Sequence, residues 1–226
     1  MENRYADILR DYNQKILELI PANSTLRIVT ALELKKALRT KRDKILEIGV
    51  GEANSTTYLL ELNPGIKIDV LDASKEMIAV AKKRLPHGRV NFIVEDGLDY
   101  LNNYPGLYDC IVSEWTIHNF KWEEKMTLLK AIFAKLAYGG KLILMEKIYP
   151  DDEKLGRYLF DLQNKRFSNY LPKEAGDAIV EHEIQDFSEE YRMSTSQTIK
   201  VLKDIGFSRV KITDRVEREV VLVAEK

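Results

Sequence analysis

The stretch that decides the fold runs from Lys44 to Thr56 and reads K-I-L-E-I-G-V-G-E-A-N-S-T. Its apolar residues predict a buried strand, followed by a turn at Gly49 and Gly51 and by a helix that opens near Asn54. A glycine turn between a strand and a helix lets a ligand lie against bare backbone and face the N–H groups of the helix. The stretch therefore predicts a ligand site at the junction of a strand and a helix.

The residues around the two glycines distinguish between classes of ligand. Dinucleotide-binding folds favour the pattern G-x-G-x-x-G, with an acid about 20 residues further on. Here Asn54 stands where the third glycine belongs, and Glu47 lies in the strand two residues before Gly49. A carboxylate at this place repels a pyrophosphate and suits a ligand with a cationic amino group. The pattern therefore argues against a dinucleotide such as NAD.

The segment Glu47–Ala53, E-I-G-V-G-E-A, resembles motif I of the class I S-adenosylmethionine (SAM) methyltransferases. The segments D-V-L-D-A-S-K-E-M-I, V-E-D-G and G-G-K-L-I-L-M-E-K resemble later parts of the same family. The resemblance implies a Rossmann-like α/β sandwich, whose seven-stranded, mostly parallel sheet ends in an antiparallel hairpin strand. It also implies SAM as the cofactor, S-adenosylhomocysteine as the product, and a methyl group transferred to a small-molecule acceptor.

The length and composition are those of an ordinary globular protein. A chain of 226 residues fits one domain. We expect this single domain to carry N-terminal helices over residues 1–40 and a helical insertion over residues 150–187. Lys and Arg number 35 and Asp and Glu number 36, so the net charge of −1 gives no general attraction to nucleic acid.

The single cysteine, Cys110, excludes an internal disulfide and a cysteine-based zinc cage, and we predict no metal site. No apolar run of about 18 residues is present, so we expect a cytoplasmic protein that does not span a membrane.

Strands and helices alternate along the chain, which predicts an α/β sandwich around a mainly parallel sheet. Residues that follow predicted strands matter most, because ligands of open α/β sheets bind outside the carboxyl ends of the strands. The predicted strands are centred on Ile45–Ile48, Ile66–Leu71, Val90–Val94, Tyr108–Ser113 and Lys141–Met145, with a final hairpin of Phe207–Thr213 and Glu219–Ala224.

One ligand can span the ends of the first four strands. Asp72 lies 21 positions after Gly51, at the place for a carboxylate that accepts both ribose hydroxyls. Asp96 can accept the amine of an adenine, and Met77 can pack on its face. Each acid alone is also explained as a helix cap or a solvated turn residue. The predicted cofactor-binding residues are Glu47, Gly49, Gly51, Asn54, Asp72, Ala73, Met77, Asp96, Gly97, Ser113 and Glu114.

Trp115 and His118 follow the fourth strand and are candidates for the acceptor side. His118 can act as a general base for a hydroxyl, thiol or amine acceptor. It can equally cap a short loop, and methyl transfer from a sulfonium needs little beyond alignment. The insertion is predicted to form a lid over the acceptor or, alternatively, a homodimer interface. The candidate substrate and lid residues are Trp115, Tyr5, Tyr12, Arg157, Tyr158, Arg166 and Tyr170.

The segments I-P-A-N-S, G-R-Y-L-F-D and I-G-F also resemble the carboxy-SAM synthase branch of the family. Where that branch carries a cofactor-binding arginine, this chain has the acidic stretch Val180–Ile184. Asn23 stands in place of its tyrosine and Glu114 in place of its asparagine. These departures favour ordinary SAM and a methylated small molecule. Two alternatives remain open: non-methylating SAM chemistry, such as carboxy-SAM formation or cyclisation, and a SAM-binding protein linked to tRNA modification.

Overall fold

The structure is a computed structural model, and it describes residues 13–21 and 23–226. The helices in these ranges are α1 (Asn13–Glu18), α2 (Asn23–Ala37), α3 (Asn54–Leu62), α4 (Lys75–Arg84), α5 (Gly97–Asn103), α6 (Trp122–Lys135), α7 (Glu153–Tyr170), α8 (Lys173–Phe187) and α9 (Thr195–Ile205), with a 3-10 helix at Ile117–Asn119. The strands are β1 (Ile45–Ile48), β2 (Ile68–Asp72), β3 (Val90–Val94), β4 (Tyr108–Glu114), β5 (Leu136–Lys147), β6 (Arg209–Val216) and β7 (Glu219–Glu225).

The strands form one seven-stranded sheet in the order β3-β2-β1-β4-β5-β7-β6. Strands β1 to β5 pair in parallel, and β7 pairs antiparallel with both β5 and β6. This confirms the predicted Rossmann-like sandwich with a closing antiparallel strand. Ile48 lies in register with Leu71 on one side and with Ser113 on the other. The chain therefore switches direction across the sheet at β1 and β4, where a crevice opens.

Helices cover both faces of the sheet, which explains why the central strands are nearly continuously apolar. On one face, Leu34 of α2 and Leu59 of α3 pack in a core with Val112 of β4. On the other face, Ile132 of α6 and Leu202 of α9 pack in a second core. All four residues of β1 are buried.

Strand β5 is longer than the sequence predicts, because it begins at Leu136 and runs to Lys147. The Gly139–Gly140 pair therefore lies inside the strand. Gly139 has a φ of 69°, and the pairing of β4 with β5 shifts register between Tyr108 and Cys110. The two glycines thus accommodate an irregularity in a paired strand, a role that glycines often have in sheets.

The insertion after β5 consists of α7 and α8, and these helices share a small third core with α1. Phe167, Leu171 and Ile179 pack there with Ile16 and Ile20. Trp115, which follows β4, packs against the edge of this core. The insertion is thereby connected to the carboxyl end of the sheet. Within the described ranges, we find no helix with the length and apolar character needed to cross a membrane.

Candidate functional site

A cavity of about 790 Å³ opens at the carboxyl ends of the central strands. Its walls come from the residues that end or follow the first four strands, from α1 to α3, and from the start of α6. The lining residues are Leu17, Arg27, Glu47, Ile48, Gly49, Val50, Gly51, Glu52, Asn54, Ser55, Leu71, Asp72, Ala73, Glu95, Asp96, Gly97, Leu98, Glu114, Trp115, Thr116, Asn119, Phe120, Glu123, Glu124, Thr127 and Leu128.

The glycine turn forms the floor of the cavity in a conformation that side chains rarely adopt. Gly49 and Gly51 have φ angles of 76° and 51°. A Cβ atom on Gly49 would lie 2.1 Å from Oγ1 of Thr116, so the turn and the loop after β4 are in close contact. A Cβ on Gly51 would meet nothing within 4 Å, which leaves the backbone of this residue open to the cavity.

Asp72 fixes this turn and also faces the cavity. Its Oδ2 accepts a hydrogen bond from the N–H of Gly51 at 2.9 Å, and its Oδ1 accepts one from the N–H of Ser74 at 2.9 Å. The carboxylate therefore connects the glycine turn to the beginning of α4. Each oxygen can accept further hydrogen bonds, because a carboxylate oxygen offers about two lone-pair sites.

Asp96 has the capping role that the sequence left open, and it also lies in the cavity wall. It is the N-cap of α5, and its Oδ1 accepts hydrogen bonds from the N–H groups of Leu98 and Asp99. The residue also lines the cavity, next to Gly97. Capping holds the carboxyl group in place at the carboxyl end of β3.

Two buried glutamates lie at the bottom of the cavity. Glu47 accepts a hydrogen bond from the hydroxyl of Thr56 at 2.6 Å, and burial raises the pKa of Glu47 to about 8. Glu114 pairs with the guanidinium of Arg27 at 2.6 Å. Burial also raises the pKa of Glu114, although Arg27 acts in the opposite direction. A ligand that carries positive charge would favour the ionised form of both carboxyls.

Three buried polar atoms on the cavity wall have no hydrogen-bond partner in the described part of the chain. They are the hydroxyl of Ser55, Oε2 of Glu114 and the indole nitrogen of Trp115. A buried polar atom left without a partner costs about 1–3 kcal/mol. Trp115 also has a φ of 44°, an unusual angle for a tryptophan. These atoms are a donor, an acceptor and a hydroxyl that remain unsatisfied in residues of the cavity wall.

Most of the residues predicted to bind a cofactor line this one cavity. Two do not. The buried hydroxyl of Ser113 donates to the carbonyl of Ile48 at 3.2 Å, so this side chain connects two strands inside the sheet. Met77 lies in the first turn of α4, where its N–H donates to the Ser74 cap, and it is not among the lining residues.

His118 lies beside the cavity but does not line it. Its ring is buried, and Nδ1 lies 2.9 Å from a carboxylate oxygen of Glu146. This contact holds the imidazole outside the cavity lining. Of the two residues predicted after β4, the structure brings only Trp115 into the cavity wall.

The insertion residues predicted as a lid also lie outside the cavity lining. Tyr158 and Tyr170 are 60% and 63% exposed. Arg157 stacks over Phe187 at 4.4 Å, and Arg166 binds both carboxylate oxygens of Glu217. Because both arginines already have partners, neither reaches toward the cavity. Two further candidates, Tyr5 and Tyr12, lie outside the described residues.

Sequence reasoning missed Arg27, the one cation among the described lining residues. Arg27 lies on α2, and its partner Glu114 is 87 positions further along the chain. Its guanidinium also lies over the ring of Trp115 at 5.2 Å. Arg27 is one of four charged residues on α2, so the local sequence does not reveal a partner so distant along the chain.

The comparisons with known proteins agree with this geometry. Residues 45–140 match the family described as a methyltransferase domain. The malonyl-acyl-carrier-protein O-methyltransferase 1 of Ilyobacter polytropus is 38% identical over 104 residues, which are 45% of this chain and 37% of that protein. The carboxy-S-adenosyl-L-methionine synthase of Campylobacter hominis is 25% identical over 197 residues, 85% of this chain and 81% of that protein.

The match thus spans less than half of the first relative's length. An O-methyltransferase family protein from Burkholderia thailandensis has the same fold, with a TM-score of 0.73 at 18% identity, over all of this chain and 62% of that one. The matched domain, the relatives and the sheet order together show that the chain is similar to the class I, SAM-dependent methyltransferases.

Proposed function

We propose that the protein binds SAM in the cavity and transfers its methyl group to a small-molecule acceptor. The observation that carries this proposal is the set of unpartnered buried polar atoms around the glycine turn, at the point where the sheet switches direction. Glu47 adds a carboxyl group whose ionisation a cationic ligand would favour. Together they match a ligand that has a charged amino acid at one end and a nucleoside at the other.

Different residues of the cavity would contact different parts of SAM. Asp72 has carboxylate lone pairs for the two ribose hydroxyls, and Asp96 and Gly97 lie where the adenine edge would be. The open backbone of Gly49 and Gly51, with Glu47 and Ser55, would hold the amino acid end. Asn54 and Ala73 complete the wall beside them.

Bound SAM supplies a methyl group on a positively charged sulfonium. The chain's own task is then to align the acceptor with that methyl group and to exclude water. Trp115 and Leu17 provide apolar surface in the cavity wall, while Arg27 holds Glu114 in place. We propose that no histidine base takes part, because Glu146 holds the ring of His118 outside the cavity.

The charges of the cavity wall favour an acceptor that is neutral or cationic. Eight carboxyl groups line the described cavity, whereas Arg27 is the one cation and is already paired with Glu114. An acceptor with its own carboxylate or phosphate would be repelled by this wall. The malonyl group for which the relative from Ilyobacter polytropus is named carries such a carboxylate, so we propose a different acceptor for this chain.

Carboxy-SAM formation is the second candidate, and the long match to the Campylobacter hominis protein favours it. An extra carboxylate on the cofactor needs a free cation in the cavity. The stretch Val180–Ile184 supplies none, since Glu183 is buried in ion pairs with Lys147 and Arg218. The charge distribution therefore supports methyl transfer to a separate acceptor over modification of the cofactor.

The test is to incubate the protein with SAM that carries a deuterated methyl group, together with fractionated cell metabolites. Mass spectrometry should then find S-adenosylhomocysteine and one labelled product in equal amounts. A new SAM-derived species without S-adenosylhomocysteine would instead identify chemistry on the cofactor. The absence of turnover with every fraction, despite SAM binding, would point to a binding protein without catalysis.

Three further proposals concern the location of the protein in the cell, its oligomeric state and its partners. We propose a location in the cytoplasm, a homodimer formed through the insertion helices, and no nucleic-acid partner. The exposed side chains of Tyr158 and Tyr170 offer apolar area for a dimer contact. Cell fractionation, light scattering and a gel-shift assay with tRNA test these proposals one by one.

A further inference from the structure

Three side chains converge on a second site beside the cavity. Nε2 of His118 lies 3.7 Å from Oδ2 of Asp186, and Nε2 of His182 lies 3.6 Å from the same oxygen. The ligating atoms of all three residues lie within 4.8 Å of one another. Both nitrogen–oxygen distances are too long for a hydrogen bond. They are close to the spacing of about 3.4 Å between two ligands that each bind a tetrahedral metal ion at about 2.1 Å.

The surroundings of His118 prepare its ring as a metal ligand. Glu146 lies 2.9 Å from Nδ1, and its carboxylate also accepts hydrogen bonds from the N–H groups of Thr116 and Ile117. An anchored carboxylate assigns the proton to Nδ1, which leaves the lone pair of Nε2 directed at Asp186. A carboxylate behind a histidine is the usual arrangement in metal sites, where it fixes the tautomer and raises the basicity of the ligand.

The other two ligands come from one face of α8, four residues apart. Nε2 of His182 and Oδ2 of Asp186 lie 3.6 Å apart, as neighbours on one helix face do. A neutral imidazole and an ionised carboxylate are the forms that bind a metal.

The charged groups packed around this site leave an excess of negative charge. Lys147 donates to Asp186 at 2.6 Å and to Glu183 at 2.9 Å, and Glu183 also pairs with Arg218. Counting formal charges, the carboxylates are Glu146, Glu183, Asp186 and Glu219, and the cations are Lys125, Lys147 and Arg218. The four carboxylates thus exceed the three cations by one. The ammonium of Lys147 neutralises part of the negative charge of Asp186. We therefore expect a metal ion to bind with micromolar rather than nanomolar affinity.

We propose that His118, His182 and Asp186 bind one divalent transition-metal ion, such as Zn²⁺, with water in the remaining positions. Two imidazoles and a carboxylate are ligands that zinc, iron and cobalt accept. The side chain of His182 is 29% exposed, which gives the ion a way in. The ion would connect α8 to the 3-10 helix, whose last residue, Asn119, lines the cavity together with the following Phe120. It would therefore fix the insertion against the wall that holds Trp115.

The sequence could not reveal this site. His118 stands alone after β4, and its partners lie far along the chain on α8. His182 and Asp186 are spaced as neighbours on a helix face, but one histidine and one acid at that spacing are common on a solvated helix. Only the packing of α8 against the loop after β4 brings the three together.

The test uses the full chain, stripped of metal with a chelator and titrated with Zn²⁺ and separately with Co²⁺. We expect one ion per chain by calorimetry, a higher melting temperature with Zn²⁺, and visible absorption bands from bound Co²⁺. His182→Ala should weaken Zn²⁺ binding by about tenfold or more. His87→Ala is the matched control and should bind like the wild type, because His87 is exposed and bonds to the carbonyl of Lys82.

Circular dichroism of the metal-free variants verifies that both are folded. Anomalous scattering from zinc-soaked crystals of the wild type locates the ion without any substitution. The proposal is overturned if the wild type binds no stoichiometric ion, if His182→Ala binds as the wild type does, or if the ion lies elsewhere. None of these measurements depends on methyl transfer, so they test the metal site separately from the proposed function.

Discussion

The raised pKa of Glu47 predicts that SAM binding releases a proton. In the free protein, burial raises this pKa from 4.5 to about 8, so the side chain is protonated at neutral pH. The cationic ligand attracts the carboxylate form, so the complex holds Glu47 ionised. The affinity for SAM should therefore increase with pH until Glu47 is already ionised in the free protein.

The size of the effect follows from this pKa. At pH 7 a group with a pKa of about 8 carries about 0.9 proton, which the ligand must displace. Ionising it there costs about 1.4 kcal/mol, or about a factor of ten in affinity. The affinity should rise roughly tenfold between pH 6 and pH 7 and roughly fivefold between pH 7 and pH 8, and then level off.

The assay is isothermal titration calorimetry of SAM at pH 7 in buffers that differ in their heat of ionisation. The slope of the observed heat against the buffer heat gives the number of protons released. Glu47→Gln is the control, since an amide keeps the shape and cannot titrate. Protons released by the ligand's own amino group remain in this variant and can be subtracted. Equal proton release by the wild type and Glu47→Gln would refute the reasoning.

The raised pKa of Glu47 also makes the stability of the ligand-free protein decrease as the pH rises, whereas the affinity for SAM increases. The folded-state pKa of Glu47 lies above the unfolded value of 4.5, so the folded protein binds more protons. Its contribution to stability is fully present below pH 4.5 and is lost as the pH rises to about 8. The loss is at most about 1.4 kcal/mol per pH unit. Glu47→Gln should be less sensitive to pH in this window when both are unfolded by urea.

Three further substitutions test the site and the fold. Asp72→Asn should weaken SAM binding by about 1–3 kcal/mol, because an amide cannot replace both carboxylate acceptors. An unchanged dissociation constant would mean that Asp72 only stabilises the turn. Gly49→Ala should lower the free energy of unfolding by more than about 1–2 kcal/mol, because a φ of 76° disfavours alanine and its Cβ would overlap Thr116. Urea unfolding measures this, and a change near zero would contradict the close contact. Arg218→Met should lower the free energy of unfolding by about 3–5 kcal/mol, because it removes a buried ion-pair partner of Glu183. Thermal unfolding measures this, and wild-type stability would show that the buried pair is not needed.

The fold could be predicted from the sequence because its signals are local. The buried strand before Gly49, the Ser74 and Ser194 caps and Gly206 at the end of α9 all depend on near neighbours in the chain. Strand β5 was predicted too short, since its first residues are held by pairing with distant strands. The pair Gly139–Gly140 is a turn by local preference and part of a strand only through those pairings.

The residues that line the cavity at the ends of the strands could also be predicted, but the orientation of His118 after β4 could not. Parallel strands bring their carboxyl ends to one edge, so the positions of Glu47, Asp72 and Asp96 follow from strand order alone. The direction of a side chain in a loop depends instead on which groups it meets. The contact of His118 with Glu146 turns a predicted base away from the cavity, and the sequence carries no sign of that contact.

The central claim, that the cavity is a SAM site, is tested most directly by titrating the purified protein with S-adenosylhomocysteine and with NAD under identical conditions. We predict one S-adenosylhomocysteine bound per chain and an affinity for NAD at least about 100-fold weaker, since Asn54 stands where a third glycine would let a pyrophosphate approach the backbone. Tighter binding of NAD, or no binding of S-adenosylhomocysteine at all, would contradict the claim.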